Sequence, residues 1–134
     1  MNKLFKKKEI FKVKSVPVDP AGMQEPTSAD EYHRRGVAYY ARKQFNAAET
    51  DLKKAISMDT NHLDSYYSLG MVLKALERKE EASAAFKQVL TLISTYPEST
   101  TTRYDMLRKL ALGHINEMNQ GDWNLEKEIW KHVA

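Results

Sequence analysis

The chain has 134 residues, of which 42% are hydrophobic and 29% are charged, and this balance is ordinary for one soluble globular domain. It contains no cysteine, which excludes disulfides, thiol catalysis and cysteine-ligated zinc. No stretch of the helical part approaches the roughly 20 apolar residues that a membrane span needs, and the N-terminus lacks the apolar stretch of a secretory signal. We therefore expect a cytoplasmic protein, either free or peripheral to a membrane.

The first predicted element is a basic arm. The net charge of the protein is +3, but residues 1–14 alone carry +5, so the rest of the chain carries −2. Apolar residues are interleaved with the lysines, and the prolines that follow predict a linker over residues 15–27 instead of a continuous helix. Arm and linker together form the predicted segment 1–27. The lysines of the arm are Lys3, Lys6, Lys7, Lys8, Lys12 and Lys14.

Four interpretations of this arm remain open. It is a solvated tail, an anchor to an anionic membrane surface or membrane-bound complex, a contact for nucleic-acid phosphates, or a segment that becomes ordered on a partner protein. The first two are favoured over nucleic acid. Membrane attachment is energetically feasible, because each lysine near anionic lipid contributes roughly 1 kcal/mol.

Two predicted helices follow the linker. Apolar residues at helical spacing predict a helix over residues 29–43, and Ser28 with Glu31 forms a capping-box pattern at its start. A second apolar stripe predicts a helix over residues 46–58. Turn-forming residues at 59–61 then end this first hairpin.

The next two predicted helices have the same layout. Residues 63–77 and 80–96 carry apolar stripes of helical period, and Pro97 ends the second helix because proline cannot extend one. The sequence therefore predicts a second hairpin of the same kind.

An offset of 34 residues superimposes the two hairpins, because it carries Gly36 onto Gly70 and Ala48 onto Ala82. Glycine within a helix costs about 1 kcal/mol relative to alanine. We expect each glycine to permit close approach of the paired helix at the small alanine.

This period and its residues resemble the tetratricopeptide repeat family, whose pattern is W-x2-L-G-x2-Y followed by A-x3-F. The first copy departs from the pattern at Arg35, where leucine is usual, and neither copy ends in the usual proline. The matching residues are Tyr32, Arg35, Gly36, Tyr39, Ala48 and Leu52 in the first copy and Tyr66, Leu69, Gly70, Leu73, Ala82 and Phe86 in the second.

The resemblance implies an all-α fold, namely an α-solenoid of about three helix–turn–helix repeats that forms one domain over residues 28–134. A degenerate third repeat would act as a cap, since Gly113 echoes Gly70 and Gly121 lies in a sequence similar to the turn between the helices of a repeat. The implied repeats are residues 29–62, 63–96 and 100–134.

The resemblance also implies a scaffold or adaptor that binds other proteins, or an assembly factor. The inner wall of such a solenoid is built mainly from the first helix of each repeat, where tyrosine, methionine and a long cation suit recognition of a peptide or helix. The alternative is that the tyrosines and the methionine only pack against one another. The candidate groove residues are His33, Arg34, Val37, Tyr40, Tyr67, Met71 and Lys74.

One known role of the family is not predicted. Members that grip the C-terminal carboxylate of a chaperone use a set of lysine, asparagine and arginine side chains along the groove. The corresponding positions here hold other residues, which are His33, Val37, Ser68, Leu107 and Ala111.

The predicted last helix carries Trp123 and Trp130 on a wide apolar face. Such a face either closes the solenoid or docks a partner or a second copy of this chain. A homo-oligomer therefore remains open.

No motif indicates catalysis. No two histidines stand three or four residues apart, and no phosphate-binding glycine loop is present. We expect the histidines to be surface or capping residues, and we expect no enzymatic activity, cofactor or metal. The histidines are His33, His62, His114 and His132.

Overall fold

The computed structural model describes residues 19–96 and 102–121. These ranges form a 3₁₀ turn, Pro20–Gly22, and five α-helices, and contain no strand. The predicted all-α fold is confirmed. The helices are α1 (Ala29–Ala41), α2 (Phe45–Met58), α3 (Leu63–Ala75), α4 (Lys79–Ser94) and α5 (Thr102–Gln120).

Helix α1 begins with the predicted capping box, with one difference. The Oγ of Ser28 accepts a hydrogen bond from the N–H of Glu31 at 3.2 Å. The Glu31 carboxylate reaches one residue further back than the pattern implies, because it accepts from the N–H of Thr27 at 2.6 Å and from the Thr27 hydroxyl at 3.0 Å. Side chains on both sides thereby fix the start of this helix.

A Schellman motif ends α1. The N–H of Gln44 donates to the carbonyl of Tyr39, and the N–H of Lys43 donates to the carbonyl of Tyr40, both at 2.9 Å. This motif places its central residue in the left-handed region, where glycine is usual, yet here Lys43 occupies it with φ 60°.

Helix α3 ends in the same way, 34 residues later. Arg78 and Glu77 donate to the carbonyls of Leu73 and Lys74 at 2.9 and 3.0 Å, and Glu77 has φ 61°. The two turns explain why α1 and α3 end two residues before their predicted ends.

Each helix packs mainly against the helix before it and the helix after it. The main contacts join α1 to α2, α2 to α3, α3 to α4 and α4 to α5, and a smaller contact joins α1 to α3. Stacking of helical hairpins through nearest neighbours is the arrangement of an α-solenoid, which confirms the predicted architecture.

The two glycines lie in equivalent crowded positions. A Cβ on Gly36 would lie 2.9 Å from Cγ of Leu52, and a Cβ on Gly70 would lie 2.7 Å from Cε1 and Cζ of Phe86. The Leu52 and Phe86 side chains are fully buried and again 34 residues apart. The predicted close approach at the small alanine is seen at Gly36, where the carbonyl oxygen of Ala48 would lie 3.4 Å from a Cβ. The side chains that fill the space are Leu52 and Phe86.

The segment before α1 is largely exposed, but parts of it pack on the first repeat. Pro20 and Pro26 are buried, and the 3₁₀ turn contacts α1. Glu25 pairs with the guanidinium of Arg35 at 3.2 Å. Residues 1–18, which include the rest of the predicted linker, lie outside the described ranges.

Helix α5 is the first helix of the predicted third repeat. It has 19 residues, six more than α1 or α3, and Gly113 is buried within it. Gly121 follows with φ 82°, a positive φ like those of Lys43 and Glu77, although its N–H donates to the carbonyl four residues back, at Glu117, and not three back. The predicted last helix lies outside the described residues. None of the described helices combines the length and apolar character that would let it cross a bilayer.

Candidate partner-binding groove

The candidate groove residues share one side of α1 and α3, which we name the α1–α3 wall. The offset of 34 relates His33 to Tyr67, Val37 to Met71 and Tyr40 to Lys74, so the wall repeats along the solenoid. Its most open positions lie on α1, where Val37 is 40% exposed and Arg34 is exposed.

The larger side chains of the wall are half-buried. Tyr40, Tyr67 and Met71 each pack against the hydrophobic core. The Tyr67 ring meets Phe86 edge-on with ring centroids 5.7 Å apart, and burial raises the pKa of the Tyr67 hydroxyl. These side chains therefore contribute to the core and still present part of their surface to solvent.

Polar contacts join α1 to the start of α3, and we call this contact the first seam. His33 Nε2 lies 3.0 Å from Ser68 Oγ. His62, which directly precedes α3, has its Nε2 2.6 Å from the carboxylate of Asp30 and its Nδ1 2.7 Å from the hydroxyl of Ser65. Both bonds to α1 therefore tie the first helix of the first repeat to α3 or to the residue that precedes it.

A second seam joins α3 to α5. The Tyr67 hydroxyl lies 3.2 Å from His114 Nε2. Lys74 Nζ lies 3.1 Å from His114 Nδ1 and donates to the carboxylate of Glu117 at 2.9 Å. Arg103 pairs with Asp64 at the other end of this seam.

The two seams repeat one pattern with the offset of 34. The Asp30 carboxylate contacts a nitrogen of His62 directly before α3, and the Asp64 carboxylate pairs with Arg103 of α5. His33 and Tyr67 each contact the first helix of the following repeat. The polar atoms of His33, Tyr67 and Lys74 are therefore engaged between repeats, whereas Val37 offers a solvent-facing apolar side chain.

His114 is the main residue that the sequence prediction placed wrongly. It was expected on the surface or at a helix cap, but it is 6% exposed, and its ring stacks on Phe86 with centroids 4.8 Å apart. Burial, followed by the charge of Lys74, lowers its pKa. The signal that could have found it is Gly113, which marks the residue beside it as a position of a packed first helix.

The remaining predicted residues lie outside the described ranges or inside the core. Trp123, Trp130, His132 and the arm lysines lie outside the described residues. At the positions of the carboxylate-gripping set, Leu107 and Ala111 are buried. Within residues 19–96 and 102–121, no group of three potential ligands is arranged to hold a metal ion.

Comparison with protein families identifies both hairpins. Models of the tetratricopeptide repeat match residues 29–62 and 63–96, which together make up half of the chain. The chain belongs to the tetratricopeptide repeat (TPR) family. The matched ranges have the bounds that the 34-residue offset predicts.

Curated relatives of this TPR protein are similar over short parts of their own length. Small glutamine-rich tetratricopeptide repeat-containing protein 2 of Saccharomyces cerevisiae is 36% identical over 67 residues, which are 50% of this chain and 19% of that protein. RNA polymerase II-associated protein 3 of Homo sapiens is 29% identical over 106 residues, which are 79% of this chain and 14% of that protein. The chain thus spans less than a fifth of each relative.

Solved structures share the fold. The Arabidopsis OM64 TPR domain superimposes with a TM-score of 0.50 at 27% identity, covering 63% of this chain and 65% of that one. Two crystal structures of MamA give TM-scores of 0.52 and 0.54 at 27% identity, each covering 81% of this chain and 63% and 58% of their own.

Proposed function

We propose that this TPR protein is a scaffold or adaptor that binds a peptide or helix of a partner protein along the α1–α3 wall. Proteins of the family generally mediate protein–protein interactions, and neither curated relative has the name of an enzyme. The observation that carries the proposal is the 40% exposure of Val37 on a wall whose neighbouring tyrosines and methionine are half-buried.

The chemistry of the wall favours an apolar anchor on the partner. The nitrogens of His33 and Lys74 and the hydroxyl of Tyr67 already bind neighbouring repeats, so a ligand would meet mainly their carbon atoms. Arg34 is exposed and forms no ion pair among the described residues. We infer that an aliphatic or aromatic side chain of the partner contacts Val37 and Met71, with a polar or acidic neighbour near Arg34.

Two matched substitutions test this proposal. Val37→Glu places a charge on the wall, whereas Met58→Glu changes an exposed apolar residue of α2, which is 46% exposed. Both positions reach solvent, so both variants should fold alike. We expect a partner recovered with the unmodified protein to be recovered with Met58→Glu and lost with Val37→Glu, and direct titration of that purified partner to show the same order.

Equal binding of both variants to the purified partner would contradict the proposal. Circular dichroism and the thermal midpoint of each variant serve as the folding control. Alanine substitutions at Tyr40, Tyr67 and Met71 are a second set, to be interpreted against stability because these side chains also pack on the core.

A second proposal concerns the basic arm. We propose that the arm tethers the protein, as a subunit or assembly factor, to a membrane-associated complex. The six lysines within residues 1–14 support it, since such clusters bind anionic lipid surfaces. Deleting residues 1–14 should move the protein from the membrane fraction to the supernatant and abolish binding to phosphatidylserine vesicles but leave neutral vesicles unaffected. An unchanged distribution would refute this role.

A further inference from the structure

Two histidines meet at the first seam, between the first and second repeats. The ring centroids of His33 and His62 lie 5.4 Å apart at an angle of 52°. His33 belongs to α1 and contacts Ser68 of α3, while His62 precedes α3 and contacts Asp30 of α1. Each ring therefore forms a bond that crosses the seam.

The charged groups around the pair come from three helices. Asp30 and Arg34 lie on α1, and Asp64 lies on α3, where it is held by Arg103 of α5. His62 has 12% of its side chain exposed. Ser65, which contacts its Nδ1, is fully buried.

The two rings differ in the groups that surround their protonated forms. A charged His62 can donate from Nε2 to the Asp30 carboxylate and from Nδ1 to the Ser65 hydroxyl. A charged His33 faces a serine hydroxyl at Nε2 and the charges of Asp64 and Asp30, which favour it. It also faces a second imidazole 5.4 Å away, whose charge opposes it. Two charged rings at this distance repel. Burial of His33 also removes part of the hydration that would stabilise its charge.

We propose that the His33–His62 pair makes the first seam acid-sensitive. Protonation of both rings weakens the contact between the first and second repeats. The seam holds together with one ring charged or none, and its weakening alters the α1–α3 wall. This regulation goes beyond the proposed binding function, because it acts on the joint between repeats whatever the wall binds.

The direction of the pH effect follows from linkage. Burial lowers the pKa of His33 below its ordinary value of 6.5, the charge of Asp64 opposes this, and His62 adds to it. The unfolded chain therefore binds a proton at His33 more readily than the folded chain does. The contribution of His33 to the free energy of unfolding is therefore present in full above about pH 6.5 and decreases as the pH falls below that value.

The direct test is a titration of the histidine rings by NMR in the full chain. We expect His33 to titrate below its ordinary value of about 6.5, with the amide signal of Ser68 changing at the same pH. In His62→Gln, which removes the neighbouring charge, His33 should accept its proton at a higher pH than before. His114 lies at the other seam, so its titration should stay unchanged and serves as the control.

A stability measurement provides an independent arm. The urea midpoint of the unmodified protein should fall between about pH 7.5 and about pH 5, on either side of the ordinary histidine pKa. The fall should be clearly smaller in His33→Gln, whose amide nitrogen can still bond Ser68. Any loss from His114 is common to both proteins and cancels in the difference.

Three results would overturn the proposal. One is titration of His33 at or above its ordinary value in the unmodified protein. Another is a His62→Gln variant that leaves His33 unmoved or moves His114 equally. The third is an equal acid loss in His33→Gln and the unmodified protein. The ring titration needs no variant, so the proposal stays testable even if a variant fails to fold.

Discussion

In the first repeat, Arg35 donates from Nε and Nη2 to the carboxylate of Asp51 at 2.7 and 2.9 Å. In the second repeat the same two positions hold Leu69 and Ala85, both buried in the hydrophobic core. The two hairpins are alike in the 13-residue length of their first helix, in the turn that follows it and in glycine placement. The pair therefore shows one chemical difference between equivalent sites.

The difference reflects what lies beside each repeat. Helix α3 packs against α2 of the preceding repeat, and an apolar pair is buried there. Among the described residues, the corresponding side of α1 is covered by the segment 19–27, from which Glu25 also reaches Arg35. The Arg35 guanidinium lies 5.7 Å from the Tyr32 ring centroid. A charged pair can close a face at the end of a solenoid, where an apolar pair would remain wet.

The largest expected effect comes from converting the first repeat to the second repeat's residues one at a time. Arg35→Leu leaves the Asp51 carboxylate, whose side chain is 6% exposed, without its guanidinium. We expect a loss of about 3 kcal/mol in the free energy of unfolding, measured by urea denaturation. Asp51→Ala should cost about 1–2 kcal/mol, because Arg35 keeps Glu25 and some solvent.

The double variant sharpens the comparison. Arg35→Leu with Asp51→Ala recreates the Leu69–Ala85 arrangement, so its stability should return to within about 1 kcal/mol of the unmodified protein. A double variant as unstable as the two single losses combined would show that the two repeats are not equivalent at this site.

A smaller effect is expected at the two glycines. Gly70→Ala would press a methyl group on the buried ring of Phe86 at 2.7 Å, while Gly36→Ala would meet Cγ of Leu52 at 2.9 Å. After the helical gain of alanine, we expect a net loss of about 2 kcal/mol for Gly70→Ala and about 1 kcal/mol or less for Gly36→Ala. Thermal denaturation would measure both.

The control for this pair is Gly22→Ala, because nothing lies within 4 Å of a Cβ there. Its thermal midpoint should be nearly unchanged. Equal losses of stability for Gly36→Ala and Gly70→Ala would contradict this prediction. They would mean that Leu52 and Phe86 move aside for the added methyl group equally easily.

The smallest effect is expected at the left-handed turn residues. Lys43→Gly and Glu77→Gly should each stabilise the protein by about 0.5–1 kcal/mol, because glycine adopts a positive φ without strain. The greater conformational entropy that glycine loses on folding keeps this gain small. Glu77→Gly should gain a few tenths of a kcal/mol more, since it also removes a negative charge from a helix C-terminus.

Gly121→Ala supplies the opposite change. Its φ of 82° should make the alanine variant less stable by about 1 kcal/mol. A stabilised Gly121→Ala, or destabilised glycine variants at the other two turns, would contradict the shared preference of the three turns for glycine. Urea midpoints resolve differences of this size.

Sequence periodicity predicted the hairpins well because helical spacing and the offset of 34 are local or repetitive signals. It did not predict the ends of α1 and α3, since Lys43 and Glu77 do not carry the glycine that usually marks a Schellman turn. Nor did it predict the partner of Arg35, which lies on the next helix. That pairing was visible in principle, because residues 35 and 51 are polar where residues 69 and 85 are apolar.

The candidate site was predicted less completely than the fold. The wall residues follow from the repeat pattern, but which of their polar atoms are engaged depends on residues far away in sequence, such as Tyr67 with His114. Hydrogen bonds across seams have no fixed spacing, so a single sequence read alone does not reveal them. His114 was misplaced for the same reason.

The stacking of helices through nearest neighbours has a consequence for how the molecule opens. Within residues 19–96 and 102–121, the hairpin of α3 and α4 contacts the preceding repeat through α2 and the following one through α5. Its amides should therefore exchange with solvent most slowly, while α1 and α5 fray sooner and separately. Because these two ends share no direct contact of note, a strain introduced at one end reaches the other only by way of that central hairpin.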